Sequence, residues 1–221
     1  MSKILLEKYI ANTQRELHKT YISFIYGKNK KLTNIEKVQL FLNRLKKGFI
    51  IKATNLFAKV VTNKKNLQTI KKLEQELGIS IIMNNTFTKS LANNFYNYTI
   101  DKKGNIIALR LYSAGLENRH IPIINKLSKI KKLEVELNNI TTLSGITLEC
   151  LNTLDVSHNR IKIIDGEDTV WKNLITVSAY NNIIDTVQNM TKENIPNLSY
   201  IYLWKNKRED FTFPESVTVE Y

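Results

Sequence analysis

The sequence predicts an α/β protein of the α+β kind: a mostly helical, basic N-terminal part followed by a short solenoid of repeats with a parallel sheet. An apolar pattern recurs every 21 to 24 residues from about residue 105 onward, at the spacing of a stacked repeat. In the first half, apolar residues recur at about four-residue spacing, which is typical of amphipathic helices. Residues 1–104 also carry 20 Lys and Arg against 6 Asp and Glu.

The charge is divided sharply along the chain. Residues 105–221 hold the other 13 Lys and Arg against 14 Asp and Glu, so the balance is +14 in the first part and −1 in the second. A length of 221 residues fits two small domains. The excess charge predicts an anionic partner, such as nucleic acid, for the first part.

The first half predicts a series of helices and strands. We expect residues 1–33 to form a helical extension and a second helix to cover 34–47. A short strand (49–51), a helix (53–61) and a helix over 64–77 follow, the last capped by Asn63 and ended by Gly78. The strand ISIIM, a polar loop and the strand FYNYTI, paired back on ISIIM, complete the series.

This order of elements over Ile35–Ile100 resembles the winged helix-turn-helix domains of bacteria and their phages, which places such a domain at 34–104. The resemblance implies that the third helix enters the major groove of DNA and that the wing lies beside it. Leu67, Ile70 and Leu77 would face the core. The residues available to nucleic acid would be Lys64, Lys65, Gln68, Thr69, Lys71 and Lys72, with Lys89 in the wing. The alternative is a solvated, lysine-rich helix.

The second half contains five copies of one pattern, L-x-x-L-x-L-x-x-N-x-I. The copies are Ile106, Leu109, Leu111, Ala114, Leu116; Ile130, Leu133, Val135, Asn138, Ile140; Leu151, Leu154, Val156, Asn159, Ile161; Leu174, Val177, Ala179, Asn182, Ile184; and Leu198, Ile201, Leu203, Asn206. The spacings between second apolar positions are 24, 21, 23 and 24 residues.

Over residues 105–210 the chain resembles the leucine-rich-repeat family, and the domain 105–221 would end in a cap formed by FTFPESVTVEY. Alternate strand residues then point inward, and each Asn satisfies backbone groups at a tight bend. Ala114 replaces Asn in the first copy, as expected of an atypical edge repeat.

The outward strand positions line one concave sheet in such a domain and are the expected contacts for a protein partner. The middle of this face is acidic and its far end is aromatic, and aromatic side chains on a rigid sheet are typical anchors. The alternatives are a solvated acidic face and aromatic residues covered by the cap. The outward residues are Arg110, Tyr112, Glu134, Glu136, Asp155, Ser157, Ser178, Tyr180, Tyr200, Tyr202 and Trp204.

Several classes of function are not indicated. The single Cys150 allows no internal disulfide, and the three histidines have no metal-ligand spacing. The sequence contains no Gly-rich phosphate loop, nucleophile elbow or catalytic carboxylate pair, so we expect no enzyme, cofactor, metal or small-molecule substrate. Charges interrupt the apolar run MSKILLEKYI, and no long apolar window occurs, which predicts a cytoplasmic location without a membrane contact.

Three hypotheses follow. The first is a regulator or adaptor that joins nucleic acid, at the basic half, to a protein partner at the repeats. The second is a phage-encoded inhibitor in which both halves bind a host defence complex that handles nucleic acid. The third is self-association of the acidic face with the basic half.

Overall fold

A computed structural model describes residues 62–84, 95–208 and 210–221. Two short 3-10 helices, Asn118–His120 and Thr169–Asn173, accompany the regular elements. In chain order, the α-helices and strands are α1 (Lys64–Leu77), β1 (Ile82–Met83), β2 (Tyr96–Ile100), β3 (Ile106–Leu111), α2 (Ile121–Ile124), β4 (Lys132–Glu134), β5 (Thr153–Asp155), β6 (Ile163–Asp165), β7 (Thr176–Ser178), β8 (Thr186–Gln188), β9 (Tyr200–Tyr202) and β10 (Thr218–Glu220).

The main sheet has eight strands in the order β1-β2-β3-β4-β5-β7-β9-β10. Neighbouring strands run parallel except β2 and β3, which are antiparallel. Strands β6 and β8 form a separate parallel pair. The second apolar residues of the five copies lie in register across the main sheet, as Leu109, Leu133, Leu154, Val177 and Ile201.

The core follows from the alternation of side chains along these short strands. In β4, for example, Leu133 is buried while Lys132 is exposed and Glu134 half-buried. The same pattern places apolar residues of every copy in one continuous core, with Trp171 its largest fully buried side chain. Full burial of a leucine-sized side chain contributes about 1.5–3 kcal/mol, so stacking of neighbouring coils is the main source of stability.

The asparagine at the bend of each of the last four copies binds the backbone of two coils. Asn138 Oδ1 accepts from the N–H groups of Ala114 and Leu116 at 3.0 and 2.9 Å. Its Nδ2 donates to Leu111 O at 2.7 Å and to Val135 O at 2.9 Å. Asn159, Asn182 and Asn206 make corresponding bonds. The predicted structural role of these side chains is therefore confirmed.

The residue before each bend has a left-handed backbone. The φ angles lie between 52° and 55° at Ser113, Leu137, His158 and Asn181, and φ is 57° at Lys205. Residues other than glycine seldom adopt this conformation, at a cost of about 1 kcal/mol or more. The asparagine bonds that follow offset this cost in the last four copies, and a left-handed residue recurs at this position in all five.

Helix α1 begins and ends where the sequence predicts. The Asn63 side chain accepts from Lys65 N at 3.0 Å, and Gly78 closes the helix with φ 66° and an N–H that donates to Glu74 O. Glycine adopts this left-handed conformation without a steric penalty. Ile70 and Leu73 are buried in the same core as the strands, and α1 lies beside α2.

The prediction of a mostly helical winged-helix domain, and with it the α+β class, is wrong for the described part. These residues are strand-rich, with one helix of 14 residues and one of four. A wing requires an antiparallel hairpin, whereas β1 runs parallel to β2, with Ile82 opposite Asn97. The antiparallel partner of β2 is β3. The helices predicted over 1–33, 34–47 and 53–61 lie outside the described residues.

The predicted boundary between residues 104 and 105 falls in the turn that joins β2 to β3. Asp101 holds this turn, because its Oδ1 accepts from Lys103 N at 2.8 Å and from Asn105 N at 2.9 Å. The Asn105 side chain, which donates to Asp101 Oδ2 at 3.0 Å, and then these backbone N–H groups lower the pKa of the Asp101 carboxyl. The main sheet continues across this position.

The C-terminal tail adds one more strand to the main sheet. Strand β10 pairs in parallel with β9, and Val219 lies opposite Ile201. Val217 is buried, and Phe211 and Phe213 pack against the core. The tail therefore protects the edge and apolar end of the last coil, and Tyr200 on β9 stays 48% exposed.

We expect Asn159→Asp to lower the free energy of unfolding by about 2–4 kcal/mol, because three backbone carbonyls lose their donor and a charge is buried. The lost bonds run from Nδ2 to Val135 O, Val156 O and Ser157 O, at 2.9, 3.0 and 3.1 Å. Urea denaturation followed by circular dichroism measures the change. Asn197→Asp, which removes one exposed bond to Lys172 O, is the control; equal losses would contradict the role of Asn159.

Candidate binding face of the main sheet

One face of the main sheet carries eleven outward side chains, which come from five adjacent strands and the residues just after them. We call it the open face. Register places Arg110, Glu134, Asp155, Ser178 and Tyr202 in one row across the strands. Two residues later along each strand, a second row contains Tyr112, Glu136, Ser157, Tyr180 and Trp204. Tyr200 lies at the start of β9, on the same side as Tyr202. The structure thus brings together all the residues predicted for a protein partner.

Three carboxyl groups occupy the centre of the open face. Glu134 and Asp155 lie opposite each other on neighbouring strands, and Glu136 follows Glu134 two residues later. The cations nearby are Arg110, whose Nη2 lies 3.6 Å from Glu136 Oε2, and Lys132, whose Nζ lies 3.0 Å from Glu134 Oε1. Two cationic side chains therefore face three carboxyl groups, so the centre has more acidic than basic groups.

Glu136 has the most perturbed acid–base chemistry on the open face. Its side chain is only 19% exposed. Burial, followed by the negative charge of Asp155, raises the pKa of the Glu136 carboxyl from 4.5 to about 7, against the opposing effect of Arg110. Near neutral pH, the Glu136 carboxyl is therefore protonated part of the time.

Two polar side chains at this centre are buried. Ser157 belongs to the second row but is fully buried beneath its neighbours, among them Tyr180, so it is not exposed to a partner, in contrast to the prediction from the sequence. Arg110 Nε is buried without a hydrogen-bond partner among the described residues. Buried polar groups normally have partners, so the Nε–H group of Arg110 is a donor that this part of the face leaves unused.

Aromatic rings stand on both sides of the acidic centre. On one side, Tyr180 and Trp204 are stacked with centroids 4.4 Å apart and planes 6° apart, and His158 meets Tyr180 edge-on at 5.1 Å. On the other side, Phe95 stacks on Tyr112 at 5.1 Å. Burial, and then the charges of Asp155 and Glu136, raise the pKa of Tyr180. The Tyr180 ring therefore lies near the carboxyl groups.

Sequence reasoning missed three residues of this face. Phe95 reaches Tyr112 because β2 pairs antiparallel with β3, which only the fold reveals. His158 and Lys205 occupy the left-handed positions before the bends. Lys205 Nζ lies 4.6 Å from the Trp204 ring centroid, which is a cation–π distance. The sequence could have indicated His158 and Lys205, because each stands one residue before the asparagine of its repeat.

The residues predicted for nucleic acid lie on α1. Lys64, Lys65, Gln68, Lys71 and Lys72 are exposed there. Thr69 is the exception: it is buried, and its Oγ1 donates to Lys65 O at 3.1 Å. Thr69 therefore faces inward and is not available to a ligand. Lys89 lies outside the described residues.

Other kinds of site were sought in residues 62–84, 95–208 and 210–221. No group of three or more His, Cys, Asp or Glu side chains in these ranges could hold a metal ion. Within the same ranges, no helix is long and apolar enough to cross a membrane. An open surface cavity lies beside Glu117, Arg119 and Arg160. Its Asn118 is already engaged with Thr141 N at 2.8 Å and Thr142 O at 2.9 Å.

We expect the stability of the protein to fall as pH rises from about 4.5 to about 7, through the Glu136 carboxyl. The folded chain holds this proton more tightly than the unfolded chain, so ionisation favours unfolding. Glu136→Gln should therefore be more stable than wild type at pH 8, by about 1 kcal/mol after solvent screening, and the gain should vanish below pH 4.5. Denaturation curves from pH 4 to 8 test this, with the exposed Glu149→Gln as the control. Parallel pH profiles of wild type and Glu136→Gln would contradict it.

In comparisons with known proteins, the chain matches no family model and no curated protein. The function of the open face is therefore inferred from its own residues and their geometry.

Proposed function

We propose that the protein is a non-enzymatic binding protein that captures a protein partner on the open face, as its resemblance to the leucine-rich-repeat family implies. The observation that carries this proposal is one sheet face on which aromatic pairs flank an acidic centre and which no other element of residues 62–84, 95–208 and 210–221 covers. Stacked aromatic rings provide a large contact area with little side-chain entropy to lose. Such rings are typical anchors of protein interfaces.

The ordering of this face supports binding without rearrangement. Its side chains project from strands whose backbone is hydrogen-bonded on both sides and whose inward neighbours are fully buried. Tyr180 and Trp204 are held against each other, and Lys205 covers part of Trp204. A partner would meet a preorganised surface, which reduces the entropic cost of association.

We expect binders selected from a displayed library of small folded domains to depend on the aromatic pair. Trp204→Ala should weaken most of them at least tenfold, because the anchor of the interface is lost. Ile163→Ala, which removes an exposed apolar side chain from the separate sheet of β6 and β8, should leave them unchanged. Biolayer interferometry measures both variants. Binders insensitive to Trp204→Ala would place the interface elsewhere.

A second role, in nucleic-acid binding, is supported by the charge of the first half. Residues 1–104 carry an excess of +14, and four lysines of α1 are exposed. Lysine clusters attract phosphates with a strong dependence on salt. Together the two roles describe a cytoplasmic regulator or adaptor.

We expect the full chain to bind mixed-sequence duplex DNA with an affinity that falls steeply between 50 and 200 mM salt, about the range in which phosphate contacts are screened. Changing Lys64, Lys65, Lys71 and Lys72 to Glu should weaken binding at least tenfold. The control changes Lys126, Lys129, Lys162 and Lys172 to Glu, an equal charge change on exposed residues of the second half. Fluorescence anisotropy measures both, and equal losses would show that only net charge matters.

A further inference from the structure

We propose that a polar cavity beside the bends of the first three copies binds a small phosphorylated molecule that also carries hydroxyl groups, such as a sugar phosphate. This inference goes beyond the binding functions proposed for the open face and for α1. The cavity has a volume of about 510 Å³, within the range of about 300–1,000 Å³ that is typical of small-molecule sites. Its lining consists of Glu117, Asn118, Arg119, Asn139, Thr141 and Arg160.

The repeat fixes where two of these residues lie. Asn139 and Arg160 each directly follow the asparagine of a bend. Their backbone N–H groups donate to carbonyls of the preceding coil at 2.8 and 2.9 Å. Gly115 holds the same position in the first copy, and open space surrounds the place of its missing Cβ. The first copy therefore places no side chain beside Asn139 at this position.

The cavity carries positive charge that the described residues do not neutralise. The Arg160 guanidinium is exposed and forms no hydrogen bond or ion pair within residues 62–84, 95–208 and 210–221, unlike the other three arginines in these ranges. Arg119 Nε lies 3.1 Å from Glu117 Oε2, but these side chains are 69% and 47% exposed. Such exposed pairs are weak, so an anion can approach Arg119 as well as Arg160.

The placement of the two arginines suits a phosphate group. Arg119 belongs to the first copy and Arg160 to the third, with the coil of Asn139 between them. Neighbouring strands are about 4.8 Å apart, so the two arginines start from coils roughly 10 Å apart. Guanidinium groups bind phosphate oxygens through paired N–H donors. A phosphate dianion between them can accept from both, whereas a carboxylate carries only one negative charge.

The remaining side chains favour hydroxyl groups on the ligand. None of the six lining residues is apolar, whereas small-molecule sites are usually lined by apolar side chains. Asn139 is half-buried, and its side-chain amide forms no hydrogen bond within the described part of the chain. This amide can both donate to and accept from a hydroxyl group.

Asn118 holds the wall of the cavity in place. Its Oδ1 accepts from Thr141 N at 2.8 Å and from Thr141 Oγ1 at 2.9 Å, and its Nδ2 donates to Thr142 O at 2.9 Å. A ligand therefore meets polar groups that are already positioned, which lowers the entropic cost of binding. No aromatic residue lines the cavity, so a nucleobase would find no ring on which to stack, and a sugar phosphate fits better than a nucleotide.

The test is a titration of the full, isotope-labelled chain with glucose-6-phosphate at constant ionic strength, followed by amide proton–nitrogen correlation spectra. We expect saturable shifts at the amides beside the cavity, among them those of Asn118, Asn139 and Thr141. Glucose should cause no shift, because it lacks the phosphate. Inorganic phosphate should bind at least threefold more weakly than glucose-6-phosphate, because it lacks the sugar hydroxyls.

Two variants and a matched control locate the binding. Asn139→Asp keeps the shape of the side chain, loses no hydrogen bond of the described residues and adds a carboxylate, so it should weaken binding at least tenfold. Arg160→Gln should weaken it at least fivefold. Lys162→Gln removes the same charge from an exposed side chain of the same coil that does not line the cavity, and its affinity should stay within twofold of wild type. Thermal unfolding checks that each variant is folded.

Three outcomes would overturn the site. Equal losses in Arg160→Gln and Lys162→Gln would show attraction to positive charge alone. The absence of saturable shifts at millimolar glucose-6-phosphate, or shifts confined to the lysine-rich α1, would show that the cavity does not bind this ligand class. Shifts of the cavity amides caused by a short DNA duplex but not by glucose-6-phosphate would assign the arginines to a nucleic-acid backbone instead.

Discussion

The asparagine at each bend is the interaction on which the rest of the structure depends. A coil of 21 to 24 residues must turn sharply after its short strand, and this turn leaves backbone N–H and C=O groups inside the core. Asn138, Asn159, Asn182 and Asn206 each bind groups of their own coil and of the preceding one. Because each amide joins two coils, stacking and turning are coupled, and the register of the parallel strands follows.

The open face is a consequence of this register. Once the inward residues of the strands are aligned in the core, the outward residues must align as well, because side chains alternate along a strand. Carboxyl groups that are 21 residues apart in sequence, Glu134 and Asp155, become neighbours on adjacent strands. Burial, and then the charge of Asp155 beside it, make ionisation of Glu136 costly and so raise the pKa of its carboxyl. A surface that carries such a cost is typical of binding sites, where a ligand can relieve it.

Prediction succeeded where the controlling interactions are local. Helix α1 and its caps at Asn63 and Gly78 depend on residues within one helical turn of each end, so the sequence suffices. The inward asparagines were predictable because their repeat position recurs. The partner of β2 was not predictable: alternation identifies a strand, but pairing depends on contacts far apart in the chain. As a result β1 and β2 were wrongly assigned to a hairpin, although β1 is parallel to β2 and β3 is its antiparallel neighbour.

By itself, the sequence determined the periodic core, the bend asparagines and the list of residues that face outward, since all three follow from short patterns that repeat. Only the tertiary structure decided how those outward residues meet. It brought Phe95 onto Tyr112 and His158 onto Tyr180, turned Thr69 inward, and buried Glu136 beside Asp155. The physical reason is that burial and pKa depend on the distances between strands, which no local pattern encodes.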